Sequence, residues 1–507
     1  MIEPRSCRAL AHGCEGLQVT GPDPLIRGLS ADSRQVAEGT LFAALPGVHT
    51  SGNHFVQQAL EAGAVAILHD GRLALPDGVT QLCHPQPRQA LAWLAAAFYG
   101  HPARRMTMIA ITGTNGKTST AAMIEAILNR RPEQRGVGVI GTTGIRHPGG
   151  QQPNPMTTPD PVALQGHLRA MADQGCDAVV MEVSSHALDQ FRTAGIPWRV
   201  AVFTHLTRDH LDYHGSEQAY FDSKAALFLR DAPATAVIGI DEPWGALLAE
   251  RCAGRMPLAT FRMGCETPPL AQPPTPVAWQ PFCAEAIELS WLFSRFRLRR
   301  VGATLDISLP CAGRFQIANA MAAAATGWQL GLADPIIVEG LRHFQPAPGR
   351  MQLVQSGQPF AVVVDYAHTP DALQRVLQTA RTVTKGRIIT VFGCGGERDT
   401  GKRTLMGQVA ARLAEHTIVT DDNPRSEAPR AIRQAILEGC RQETGRHEEV
   451  ADRDQAIGRA LALATPEDAV IIAGKGHETV QITADGPQPF DDVQTARNHL
   501  ARMGYSL

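Results

Sequence analysis

Residues 111 to 120 read ITGTNGKTST. Gly113 and Gly116 let backbone N–H groups turn toward an anion, Lys117 can reach terminal phosphate oxygens, and the Thr118 hydroxyl can join a Mg2+ shell. Thr114, Asn115 and Ser119 complete a polar rim. The loop is shorter than the usual G-x-x-x-x-G-K-[ST], because Ile111 stands where the first glycine would be. The apolar run Met106 to Ile111 precedes it, and Ser119 to Leu128 follows with Met123, Ile124, Ile127 and Leu128 on one helical face. Strand, loop and helix together point to nucleotide binding rather than an ordinary glycine turn. A bare loop does not separate a kinase, an ATPase and a ligase.

Three further groups carry chemistry. Glu182 ends the apolar run in VVMEVSSHALDQFR, and Asp209, His210, Asp212 and His214 follow another in FTHLTRDHLDYHG. Mg2+ keeps several waters, so one or two carboxylates suffice, and Glu182 with Thr118 makes one such set. Imidazole suits magnesium poorly, so the spacing around His210 fits a structural histidine at least as well. Lys224, on the helical stretch AYFDSKAALF, reads by itself as an ordinary solvated or ion-paired lysine. In DDNPR, Asp422, Asn423 and Pro424 would form a stiff loop from which Arg425 could fork onto a carboxylate. A capped turn before the helix near Pro429 accounts for the same residues.

These groups need elements to hold them. A chain of 507 residues is too long for one core. Residues 1–103 mix short strands and helices, with a strand from Thr40 to Leu45, as in a small α/β unit. Residues 104–343 alternate apolar runs and helices, with strands expected at Met106–Ile111, Ala178–Val183, Val200–Thr204 and Ala236–Ile240. TPPLAQPPTPVAWQPF, overlapping a proline-rich insert from Glu266 to Pro281, reads as a surface loop, and HFQPAPGRM as a linker. In residues 344–507 the strands FAVVVD, RIITVF, HTIVT and DAVIIA are each followed by polar residues and a helix. That repeat predicts a parallel, doubly wound sheet whose ligand lies beyond the strand carboxyl ends. Those ends carry Asp365 to His368, Gly393 to Asp399, Asp421 to Arg425 and Gly474 to Glu478.

Composition excludes other classes. Lys+Arg number 47 against 49 Asp+Glu, with no long run of either sign, so no nucleic-acid surface is expected. The ten cysteines form no C-x-x-C pair and are expected as reduced, packed thiols. No signal-peptide h-region and no membrane-length apolar window is visible, so a cytoplasmic protein is expected.

Together the blocks GTNGKTS, TTPD, MEVSSHAL, RDHLDYHG, VVDYAHTPDAL, FGCGGERD, TDDNPR and AGKGHE resemble those of the Mur ligases, in order from about Asp32 to Glu478. They are most similar to the branch that adds the third residue of the peptidoglycan stem peptide. The resemblance implies an N-terminal uridine-nucleotide domain, a central P-loop ATPase and a C-terminal Rossmann-like domain for the incoming amino acid. It implies ATP-driven amide formation on UDP-N-acetylmuramoyl-L-alanyl-D-glutamate through an acyl phosphate, with Mg2+ as cofactor; a monomer is expected, though the sequence does not give the oligomeric state. Lys117 would hold phosphate, Thr118 and Glu182 one Mg2+, and His210 and Lys224 a second, Lys224 as its N-carboxylated form. Asn319 would meet adenine, Arg350 the phosphates and Asp365 the ribose. Ser33, Thr157, Thr158, Ser184, Gln190 and Arg192 match positions that hold the UDP substrate. Gln316 and His205 depart from asparagines usual in the family. D-N-P-R resembles the form selecting meso-diaminopimelate, whose distal carboxylate Arg425 would clamp; Arg398, Gly474 and Glu478 match further contacts. L-Lysine as the acceptor, or a folylpolyglutamate synthetase-like ligase, are the alternatives. A P-loop kinase or a plain nucleotide-binding regulator would leave Lys224, YAHTPDAL and the last strand ends unexplained.

Overall fold

The computed structural model describes residues 3–47, 51–133, 135–265 and 279–505. The chain forms two compact units: Met1–Thr112 with Glu133–Ala201 and Ser223–Ala234, and Gly113–Pro132 with Val202–Asp222 and Thr235–Leu507. Both are α/β.

The first unit holds a five-stranded sheet in the order Gln18–Thr20, Thr80–Cys83, Ala64–His69, Thr40–Ala43, Gly28–Ser30. All neighbours are parallel except the first pair. Helix Pro87–Phe98 covers this sheet, burying Leu91, Leu94 and Ala95 against Leu41, Leu68 and Leu82. The same unit carries Gly136–Gly141, Cys176–Glu182 and Thr107–Thr112 as parallel neighbours, so Glu182 lies opposite Ile111 in register. The interiors of these strands, such as Met108–Ile111 and Ala178–Met181, are apolar and buried because both faces are covered, the usual condition of a parallel sheet.

In the second unit Ala236–Gly239, Leu258–Met263 and Trp279–Leu289 run parallel, and Ser294–Arg300 and Ala303–Leu309 continue antiparallel. Trp279–Phe282 corrects the sequence expectation of a loop through Pro281. Phe282 is buried and stacks on Trp328 with centroids 5.0 Å apart, and Trp279 Nε1 donates to Thr260 Oγ1 at 3.1 Å, so burial outweighs local proline content. The rest of that insert, residues 266–278, lies outside the described residues. The expectation that all ten cysteines are free thiols is likewise corrected, since Cys265 and Cys283 form a disulfide with Cα atoms 5.4 Å apart. The two parallel strands bring together residues 18 apart in sequence, a proximity that cysteine spacing alone does not reveal.

The last sheet follows the expected pattern. Its order is Gln352–Leu353, Ala361–Asp365, Ala469–Ala473, Ile388–Phe392, His416–Val419, Arg446–Glu449, parallel except at the first strand. Val363, Phe392 and Ile471 face helices Pro370–Val383, Lys402–Leu413 and Pro429–Cys440. Val362, Val391 and Ile472 face Arg453–Leu463 and Asp492–Arg502. The alternation of strand side chains thus builds a core on each face.

Candidate active site

Gly116, at φ 85°, caps helix Lys117–Leu128, and Asn319 Oδ1 occupies the space a Cβ there would need. A left-handed turn with no room for a side chain admits only glycine. The loop is braced from within the second unit: Thr114 N donates to His205 O at 2.9 Å, Thr204 Oγ1 to Asn115 O at 2.7 Å, and Thr207 N to Thr114 Oγ1 at 3.0 Å. Lys117 Nζ donates to Gly113 O and Thr114 O at 2.9 and 2.8 Å, so its ammonium sits over the loop at a helix N-terminus, where an anion is favoured.

Beside the loop a narrow slot has apolar walls of Phe261, Phe315 and Val376 and a polar rim that includes Ser119, His205, Gln316, Asn319, Arg350 and Asp365. Gln316 Oε1 accepts from Asn319 Nδ2 at 3.1 Å, so this substitution fixes the neighbouring amide. His205 Nε2 lies 3.8 Å from Asp371 Oδ2. The Arg350 guanidinium stacks 4.6 Å over the Tyr366 ring, and its Nη2 is 3.5 Å from Thr118 Oγ1. Asp365 Oδ2 accepts from Met351 N at 2.7 Å; burial pushes its carboxyl up, and Arg350 opposes that shift. A flat apolar slot opening beside a phosphate loop suits a nucleotide base.

Of the four residues expected to hold metal, two belong to each unit. Glu182, buried in the first, accepts from Thr142 N at 3.0 Å and Thr142 Oγ1 at 3.1 Å. Lys224 is buried at 1 % exposure, which corrects its reading as a solvated lysine. Thr118, in the second, is buried near Arg350. His210 takes a left-handed backbone (φ 52°) with Nε2 3.4 Å from Asp209 Oδ2. Burial pushes the Asp209 carboxyl up, but the charges of His210, His368 and Lys402 outweigh it and hold it below its usual range. Among the described residues no group of three His, Cys, Asp or Glu side chains forms a metal cluster.

The first unit also contains a cavity of about 560 Å³ lined by Ser30, Asp32, Gln35, Arg88, Gln190 and Arg192, among others. Arg192 donates to Gln190 Oε1 at 2.8 Å and to Thr158 O at 2.8 Å. Thr158 Oγ1 ties Glu182 O to Ser184 N, and Thr157 Oγ1 pairs with Thr142 Oγ1 at 3.2 Å. Ser33 instead donates to Gln58 Oε1 at 2.9 Å, while its neighbours Asp32 and Gln35 face the cavity.

At the carboxyl ends of the last sheet, two loops interlock. Gly474, at φ 114°, would place a Cβ 2.5 Å from Asp422 Oδ2. Asn423 Nδ2 donates to Glu478 Oε2 at 2.7 Å. Arg425 has a left-handed backbone (φ 55°); its Nη1 donates to Gly396 O at 2.6 Å. Pro424 is buried in the same loop, and Arg398 reaches over its own neighbour Glu397 O from an exposed position. Burial pushes the Asp422 carboxyl up, with Arg453 and Lys475 opposing. Lys475, inside AGKGHE, was not singled out from the sequence; its motif is visible there but its burial is not.

The Mur ligase middle domain matches residues 111–327, the Mur ligase glutamate ligase domain residues 349–476, and the Mur ligase family catalytic domain residues 25–99. A UDP-N-acetylmuramoyl-L-alanyl-D-glutamate–2,6-diaminopimelate ligase of Geobacillus kaustophilus is 39 % identical over 96 % of this chain and 96 % of its own. The chain belongs to the Mur ligase family. It is therefore a ligase, and the likeness extends to other members. The enzyme of that name from Chelativorans is 42 % identical over 94 % of this chain and 95 % of its own. A solved structure of that name aligns at TM-score 0.66 and 33 % identity, covering 95 % of this chain and 96 % of that one. A Mycobacterium tuberculosis folylpolyglutamate synthase complexed with ADP shares 21 % identity at TM-score 0.61 over 81 % of this Mur ligase, a likeness of fold.

Proposed function

We propose that this Mur ligase joins meso-2,6-diaminopimelate to UDP-N-acetylmuramoyl-L-alanyl-D-glutamate at the expense of ATP, in cytoplasmic peptidoglycan precursor synthesis. The observation that carries the choice of acceptor is the loop 422–425, hydrogen-bonded to Glu478 and carrying Arg425 in a strained backbone. Full-length relatives at 39 to 42 % identity bear that activity in their names. The proposed parts are residues 1–103 for the uridine nucleotide, 104–343 for ATP and 344–507 for the acceptor.

A free carboxylate is a poor acylating agent. Transfer of the γ-phosphoryl group to the D-glutamyl side chain makes an acyl phosphate, which the acceptor amine attacks with release of phosphate. Lys117 and Arg350 neutralise the phosphoryl oxygens, and the loop from Gly113 to Ser119 orients them. Asn319 reads the base and Asp365 the ribose. Gln190 and Arg192, with Thr157, Thr158 and Ser184 behind them, hold the UDP substrate. Asp422 and Glu478 take up the distal ammonium of the acceptor, and Arg398 and Arg425 its carboxylate.

The oxygen donors of Glu182 and Thr118 fit Mg2+, whereas a buried ammonium at Lys224 would not. Carboxylation of Lys224 would replace that cation by an anion with oxygen donors, which with His210 would serve a second Mg2+. Bound Mg2+ would supply charge neutralisation during phosphoryl transfer.

The test offers the purified protein ATP, Mg2+ and UDP-N-acetylmuramoyl-L-alanyl-D-glutamate, with meso-diaminopimelate and L-lysine competing in one tube. The product mass should be that of the diaminopimelate adduct. A lysine adduct overturns the reading of Arg425, and ATP hydrolysis with no adduct overturns the acceptor altogether.

A further inference from the structure

One buried cation holds together the two interlocking loops at the acceptor end of the last sheet. Lys475 has 0 % exposure, and its ammonium donates to Asn423 Oδ1 at 3.0 Å, Glu478 Oε2 at 3.2 Å and Val480 O at 2.6 Å. An ammonium has three donors, so all are used. Asn423 Oδ1 also accepts from Ile482 N at 2.9 Å, and Glu478 Oε2 also accepts from Asn423 Nδ2 at 2.7 Å.

The logic of donors and acceptors fixes the amide. Lys475 Nζ and Ile482 N can only donate, so they require the oxygen of Asn423, and the carboxylate of Glu478 requires its nitrogen. Flipping the amide would set its NH2 against an ammonium and its oxygen against a carboxylate. Glu478 Oε2 is committed to two donors, while Oε1 accepts from none among the described residues. Asp422, the neighbour of Asn423, is buried with Lys475 among the charges acting on it.

We propose that Lys475 is a positioning residue for acceptor selection. Without touching the acceptor, it locks the Asn423 amide and commits one Glu478 oxygen, leaving the other to receive an ammonium group. The acceptor class is then an amino acid whose distal end bears both an ammonium and a carboxylate. A lone distal amine would engage half of that arrangement and leave an arginine unpaired. This inference rests on the reading that these loops bind the acceptor.

The test compares full-length wild type with Lys475→Met and Lys475→Arg, measuring kcat, separate KM values for each substrate, ADP affinity and thermal stability. Lys475→Met should raise the KM for diaminopimelate about tenfold or more and lower the diaminopimelate-to-lysine preference by a similar factor, with the KM for ATP within about twofold. Lys475→Arg, which keeps charge and donors, should recover most of the preference. A variant with unchanged KM values and preference but lower kcat or stability overturns the proposal, because a purely structural lysine produces that pattern. If Lys475→Met fails to fold, as shown by lost ADP binding, Lys475→Gln is read by the same criteria. Wild type that ligates neither amino acid defeats the functional reading itself, whereas active wild type with an unaltered variant defeats only the role of Lys475.

Discussion

Arg425 holds a left-handed backbone that costs a non-glycine residue of order 1 kcal/mol or more, and it does so in a loop clamped by Gly396, Asn423 and Ile482. Such strain persists where the surroundings impose it. Arg425→Ala should raise the KM for diaminopimelate about tenfold or more and leave that for ATP nearly unchanged, in initial-rate assays varying one substrate at a time. Arg425→Lys should not restore it, since an ammonium lacks the planar fork. Equal KM values for wild type and Arg425→Ala would return the loop to a plain turn. Lys224 makes a sharper case, because a lysine buried to 1 % exposure is not a solvated surface residue. Lys224→Ala should abolish ligation without rescue by bicarbonate, and labelled bicarbonate should mark the wild-type lysine in an NMR spectrum. Near-normal turnover of the variant would remove Lys224 from the site. Lys224 stands out in the sequence only through family resemblance, and for Arg425 the resemblance decides between a carboxylate clamp and a capped turn, since a lone lysine and a five-residue loop have no periodicity to betray them.

Elements were more legible than contacts. The four long strands of the last sheet were readable because both faces are buried, which makes each a continuous apolar run ending at a charged or glycine-rich loop. The strand Trp279–Leu289 was not, because prolines suggested a loop while the deciding stacking partner, Trp328, is far away in sequence. Pinning of strand starts is equally invisible. Asp468 Oδ1 accepts from Arg387 N at 2.6 Å, and its Oδ2 from Thr465 N at 2.9 Å and from the Arg387 guanidinium at 2.8 Å, joining the starts of two parallel strands. Burial would raise the Asp468 carboxyl, but these hydrogen bonds outweigh it and hold its pKa at about 2. Because the folded value lies below the ordinary one, this carboxylate contributes about 2 kcal/mol above pH 4, lost as the pH falls toward 2. Asp468→Asn should therefore be less stable than wild type at pH 6 in urea unfolding, with the gap closing between pH 4 and pH 2. A gap independent of pH would show that the charge is not what stabilises these starts.

At the scale of the whole chain, sequence order and spatial grouping part company. Residues 113–132 and 202–222 group with the second unit although their sequence neighbours lie in the first, because the loops after two strands share hydrogen bonds, such as those between Thr114 and Thr207. A linear reading sees the segments but not which loop ends meet. One consequence can be measured. The cavity with Gln190 and Arg192 is lined wholly by the first unit, and the slot with Asn319 and Asp365 wholly by the second. On the proposed function each ligand has its own set of contacts, and substitutions without shared partners act independently. Arg192→Ala should weaken binding of the UDP substrate about tenfold or more and leave ADP affinity within about twofold, while Asn319→Ala should do the converse. Titration calorimetry with each ligand alone reads both constants. If Arg192→Ala weakened both ligands equally, Arg192 would be acting through the fold, and its assignment to the UDP substrate would fall.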